Sequence, residues 1–166
     1  MEPICPLTGA ADVLRRKTLV RRLRTVSEPP APHKPVPWPD SLSAPFWEAA
    51  NRKELVIQRC QGCGRYHHPP VGVCTTCLSP DQRYVQVSGK GRINTFTITY
   101  QARQPAFQAI QPYTVALVEL DEQEGLLLYS NIPGSAPGDI SIGLPVSVDF
   151  EEIVPGIHIP QFRVAS

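Results

Sequence analysis

Charge is scarce in this chain. Asp, Glu, Lys and Arg make up 19% of its 166 residues, below the usual quarter of a globular domain. The little charge there is divides unevenly. Residues 1–44 carry seven Lys/Arg against four Asp/Glu, a net +3, and residues 45–166 carry nine against eleven, a net −2. A mildly acidic globular part argues against a nucleic-acid surface, which needs a basic stripe. No apolar run approaches the ~18 residues of a membrane helix. The N-terminal apolar stretch is too short and too interrupted by charge for a secretory signal. The chain also lacks a G-x-x-x-x-G-K-[ST] loop, a G-x-S-x-G elbow, an H-E-x-x-H pair and a dinucleotide fingerprint. Gly89-Lys90-Gly91-Arg92 resembles a phosphate loop only superficially. Glu119, Asp121, Glu122 and Glu124 cluster at a strand end, which reads as a solvated hairpin tip. No residue set marks the chain as a catalyst by itself.

Proline, by contrast, is plentiful and concentrated. Of 19 prolines, seven fall between Pro29 and Pro45. Fixed φ and missing donors make residues 29–44 an extended linker or arm, in which Trp38 is a possible anchor. Before it, residues 1–28 form a basic tail whose apolar positions keep no single helical face, a segment that reads as mobile. After it, Pro45–Asn51 reads as a short helix with proline in its first turn.

Five cysteines include two close pairs. Cys60-Gln61-Gly62-Cys63-Gly64 and Cys74-Thr75-Thr76-Cys77 are two C-x-x-C knuckles separated by ten residues, enough for a hairpin to bring them together. This pattern predicts one tetrahedral ion held by Cys60, Cys63, Cys74 and Cys77, with zinc preferred and rubredoxin-like iron as the nearest rival. All four positions are protein ligands, so no water remains to activate, and the metal is structural. Its formal −2 charge would be partly offset by Arg59 and Arg65. His67 and His68 between the pairs are alternative ligands, but four thiolates already suffice. The pairs suggest a metal site rather than disulfides, and a reducing cytoplasm is the simplest compartment.

Strand patterns dominate beyond Cys77. Leu55–Arg59 precedes the first knuckle. Arg83–Val87, Arg92–Gln101, Tyr113–Asp121, Gly125–Ile132, Pro145–Phe150 and Ile157–Val164 follow, separated by Gly, Pro or polar turns. Pro160 marks its strand as an edge or bulge. These strands predict a small OB-type barrel over residues 89–166, after a helix plus zinc ribbon over 45–88. The Ala102–Pro112 connection is longer than a hairpin needs and carries Arg103, Phe107 and Ile110.

The ordered set Pro45-Phe46-Trp47-Glu48, Gln58-Arg59-Cys60-x-x-Cys63-Gly64, Pro69-Pro70, Cys74-x-x-Cys77, Ser88-Gly89-Lys90-Gly91, Tyr113–Leu120 and Ile142–Val146 resembles the zinc-ribbon plus OB-fold family of acyl-CoA-associated proteins, long catalogued as a domain of unknown function. The resemblance covers residues 44–164. It implies an N-terminal helix, a rubredoxin-like ribbon and a C-terminal OB barrel. It also implies a non-catalytic hetero-oligomeric partner of thiolase-superfamily thiolases and aldolases, including enzymes of steroid side-chain degradation, that helps form an acyl-CoA passage. Coenzyme A is anionic, so Lys90, Arg92 and Arg103 are candidate phosphate contacts, each equally readable as ordinary surface charge. Phe107 and Ile110 are candidates to dock a partner or line an acyl path, or else simply to pin their loop. The alternative reading is a nucleic-acid-binding ribbon/OB protein, and a stand-alone acyl-CoA enzyme is a third.

Overall fold

A computed structural model of the chain describes residues 33–165. The tail reading for 1–28 and the start of the proline-rich stretch lie outside these residues. His33 to Asp40 forms neither helix nor strand, as its prolines dictate. This arm is fastened by Lys34, whose Nζ donates to Glu151 Oε2 at 2.5 Å and lies 5.8 Å from the Phe107 ring centre. Trp38 is 97% exposed, so Lys34 and not the tryptophan anchors the arm.

A tight turn leads into helix α1 (Ala44–Asn51). The Ser43 N–H and hydroxyl both donate to Asp40 Oδ1, at 2.7 and 2.6 Å. Pro45 occupies the first turn, where a missing N–H costs nothing. The helix buries Phe46, Ala49 and Ala50.

A small antiparallel sheet follows, of β1 (Val56–Cys60), β2 (Tyr66–His67) and β3 (Gln82–Gln86) in the order β2-β1-β3. Strand β2 was not expected, because two residues are too short to show alternation. Its pairing of Arg59 with Tyr66 and Gln58 with His67 arises only once the first knuckle has turned the chain back.

The second sheet contains β4 (Lys90–Thr99), β5 (Tyr113–Leu120), β6 (Leu127–Asn131), β7 (Pro145–Val154) and β8 (Ile157–Val164). Their order is β6-β5-β4-β7-β8, with antiparallel neighbours throughout. Strand β7 runs four residues past the expected Phe150 and carries a bulge between Glu152 and Val154. Pro160 sits in β8 opposite Phe150, and among the described residues β8 pairs with β7 alone, so the proline lies in an edge strand. The long connection contains a one-turn helix, α2 (Pro105–Gln108).

This is the expected OB fold, but its sheet is not closed by a ladder. Between β6 and β8 a side chain makes the bridge. Gln161 Oε1 accepts the Asn131 N–H at 2.9 Å, and Gln161 Nε2 donates to Glu151 Oε2 at 3.1 Å.

One core unites ribbon and OB sheet. Phe46, Leu55 and Ile57 from the helix and ribbon belong to the same buried cluster as Ile93, Val118, Leu128, Val146 and Phe162. The acidic hairpin tip also joins the two parts. Gln123 Oε1 accepts the Tyr66 N–H at 2.9 Å, and its Nε2 donates to the Tyr66 carbonyl at 3.2 Å. Glu122 Oε1 accepts the Ser88 N–H, while its Oε2 is buried. The tip read as solvated is therefore partly a docking point.

Candidate metal centre and adjoining surfaces

The two knuckles are built alike. The Gly64 N–H donates to the Cys60 carbonyl at 2.9 Å, and the Leu78 N–H donates to the Cys74 carbonyl at 3.0 Å. Each tight turn ends on a left-handed residue, Gly64 at φ 78° and Leu78 at φ 60°. The sulfurs of Cys60, Cys63, Cys74 and Cys77 all lie within 4.8 Å of one another. Cys60 and Cys77 approach to 3.5 Å, Cys63 and Cys74 to 3.6 Å. These separations are far too long for a disulfide and close to the ~3.8 Å edge of a tetrahedron with ~2.3 Å metal–sulfur bonds.

Electrostatics favour a cation at the centre of that tetrahedron. Burial opposes the Cys60 thiolate, but the Cys63 backbone N–H and the Cys77 thiol outweigh it and bring the group down to about 6. The Ser79 backbone N–H favours a Cys77 thiolate, yet Cys60 and Cys63 beside it push that thiol up to about 12. One negative sulfur thus suppresses the next, and a divalent ion removes that conflict. The donor set fits structural zinc, held by all four cysteines, with no open position for substrate.

Around this centre the sequence reading missed one contact. His67 Nε2 lies 3.3 Å from Cys74 Sγ. With Cys74 a thiolate, the imidazole N–H donates to it, so His67 supports a ligand and is not one. His68 faces away, its ring 5.4 Å from Phe46, and burial lowers its pKa to about 4. Arg59 crosses the first knuckle, its Nε donating to the Gly64 carbonyl at 3.0 Å and its guanidinium 5.4 Å from the Tyr66 ring centre.

Leu78 provides a direct test of the knuckle geometry. A leucine at positive φ is strained by its Cβ, and this one is 75% exposed, so little packing offsets the strain. Leu78→Gly should stabilise the protein by roughly 0.5–1 kcal/mol, read as a higher urea midpoint in the zinc-loaded protein. A lower midpoint would show that the leucine makes a contact outweighing its strain.

The five candidate contact residues fall into two separate groups. Lys90 and Arg92 are exposed at the start of β4, and Arg92 Nη1 reaches the Gly143 carbonyl at 3.4 Å. Arg103, Phe107 and Ile110 lie beyond the other end of the same ten-residue strand, which is roughly 30 Å long when extended. Phe107 is half-buried against Tyr113, with ring centres 5.4 Å apart. Arg103 and Ile110 are exposed.

Two cavities adjoin the Phe107 end. One, of about 690 Å³, runs between the arm, α1, the His68–Pro70 loop and strands β5, β6 and β8. Trp47, Phe107, Tyr113, Leu128 and Pro160 are among its walls. The other, of about 370 Å³, has a mixed lining that includes Lys34, Thr114, Asp149, Glu151 and Arg163. Neither was legible beforehand, because their walls come from segments more than 100 residues apart.

A saturated four-cysteine ribbon fused through a common core to an open OB sheet defines a zinc-ribbon/OB-fold protein. Two family profiles match it, the rubredoxin-like zinc ribbon domain of ChsH2 over residues 47–81 and the C-terminal OB-fold domain of ChsH2 over 84–151. The chain belongs to this ChsH2-type DUF35 family. It is 43% identical over 121 residues to a probable enoyl-CoA hydratase alpha subunit of Thermomonospora curvata, covering 72% of this chain and 37% of that one. It is 32% identical over 120 residues to the 3-oxo-4,17-pregnadiene-20-carboxyl-CoA hydratase alpha subunit of Mycobacterium tuberculosis, covering 68% and 37%. The chain therefore spans little more than a third of these relatives. Among solved structures, it matches a chain of the Ltp2-ChsH2(DUF35) aldolase with a TM-score of 0.72 and 40% identity, covering 78% of this chain and 99% of that one. Among the described residues no helix is long and apolar enough to cross a membrane.

Proposed function

We propose that the chain is a non-catalytic accessory subunit of a thiolase-superfamily acyl-CoA enzyme, a thiolase or an aldolase. It stabilises that complex and helps bind or channel acyl-CoA. The likeness over 99% of the length of a chain in the Ltp2-ChsH2(DUF35) aldolase carries this reading. The closed coordination of the ribbon supports it, because a saturated zinc site organises surfaces and does not activate a substrate. The hydratase relatives extend the reading to CoA thioesters, and the pregnadiene-carboxyl-CoA name extends it to steroid side chains. The mildly acidic balance of residues 45–166 weighs against nucleic acid.

The test is co-expression with thiolase-superfamily proteins of the same organism, followed by gel filtration. A single peak containing both chains is expected. Two peaks that never co-migrate would overturn the proposal.

A further inference from the structure

The two knuckles match in backbone but not in surroundings. Cys60 and Cys74 open them, and both are buried. Backbone N–H groups of the turn that follows favour a thiolate at each, from Gly62 and Cys63 at Cys60 and from Thr76 and Cys77 at Cys74. One donor breaks the match. His67 Nε2 lies 3.3 Å from Cys74 Sγ, whereas among the described residues no side-chain N–H reaches Cys60 Sγ.

His67 is held for this contact from both sides. It belongs to β2, and its backbone pairs with Gln58 of β1. The Gln58 side chain grips the loop beyond it, accepting the Val71 N–H at 2.7 Å and donating to the Val71 carbonyl at 2.9 Å. Before it, Tyr66 is clamped at both N–H and carbonyl by Gln123. The imidazole is buried, so it has little freedom to leave the sulfur. It also reaches from the return strand of the first knuckle to the leading ligand of the second. Four thiolates around a divalent ion leave a formal −2, and at buried Cys74 no water screens the local share of it. An N–H aimed at a thiolate is a charge-assisted hydrogen bond, and partners of this kind behind a ligand orient it and tune its hold on the metal.

We infer that His67 is a positioning residue of the metal centre: its Nε2–H fixes the Cys74 thiolate toward the ion and takes up part of its charge, so that metal retention depends on an imidazole that is not a ligand. The inference rests on the four-thiolate site and is independent of any partner subunit.

The full chain is loaded with Co²⁺, whose sulfur-to-metal charge-transfer band reports the electron density of the thiolates. Zinc affinity is read by competition with a chromophoric chelator. His67→Phe fills the space without a donor. It should move the cobalt band to longer wavelength and weaken zinc by about tenfold or more. His67→Gln places an amide N–H near the same point, so it should keep the band and stay within about threefold of the parent in zinc affinity. His68→Phe, next in sequence but turned toward Phe46, should change neither. A long-range proton–nitrogen NMR correlation on the zinc-loaded parent, which needs no variant, should find the His67 ring proton on Nε2. The inference fails if Nε2 carries no proton, or if folded His67→Phe keeps the parent's cobalt band and zinc affinity. It fails equally if His67→Gln behaves like His67→Phe, or if His68→Phe shifts the band as far, since the histidine would then serve packing alone. Should His67→Phe not fold, the ring proton and His67→Gln decide.

Discussion

Cys60→Ser should release the zinc and lower the urea midpoint of the entire described domain, not of the ribbon alone. The ribbon sheet is slight. Strands β1 and β3 have five residues each but β2 has only two, so by itself the ribbon is close to an isolated hairpin, which is marginal in water. Coordination supplies the difference, because metal binding energy in such modules is folding energy, on the order of 10 kcal/mol. A serine hydroxyl is a poor fourth ligand, so a loss of several kcal/mol is expected. The loss should spread, since Phe46, Leu55 and Ile57 pack in the same cluster as the OB strands. The expected result is a single unfolding transition at lower urea, with zinc content falling from one per chain toward zero. A variant retaining its zinc and its midpoint would refute the structural role of the site.

Gly91→Ala should cost about 2–3 kcal/mol, a large effect for one methyl group. Gly91 lies in β4, paired with Leu120 of β5 on one side and Val146 of β7 on the other. A Cβ there would sit 2.3 Å from the Glu119 carbonyl oxygen and 3.0 Å from Val118 Cγ1. The first contact is with backbone held inside a sheet, so neither strand can yield without breaking hydrogen bonds. Gly72→Ala is the control, because nothing lies within 4 Å of its Cβ position, and it should stay within about 0.5 kcal/mol of the parent. A Gly91→Ala urea midpoint matching the control would remove the argument. The glycine therefore serves strand packing, which is why Gly89-Lys90-Gly91-Arg92 only superficially resembles a phosphate loop.

The ribbon was legible because its information is local. Two C-x-x-C pairs fix ligand identity, number and spacing with few residues, and tetrahedral chemistry supplies the rest. The longer strands were legible for a similar reason. Alternation in Arg92–Gln101 and Pro145–Phe150 reports a period of two whatever lies opposite. Strand β2 was hidden because pairing, not propensity, makes two residues a strand. The role of Gln161 was hidden too. A glutamine in a strand looks like a solvent-facing position until the barrel curls far enough for its amide to replace a missing ladder. Lys34 likewise read as one residue of a linker, since its partner Glu151 lies 117 positions away.

The sequence by itself therefore determined the four-cysteine site, its closed coordination, the succession of the longer strands along the chain and the extended course of the described part of the arm. Each follows from the spacing or dihedral limits of neighbouring residues. Only the tertiary structure decided how these parts meet. It placed His67 on Cys74, put ribbon and OB sheet on one core, left the sheet open between β6 and β8, and set an apolar groove beside a charge-balanced cleft. Those features depend on distances between residues far apart in the chain, and neither composition nor periodicity encodes a distance.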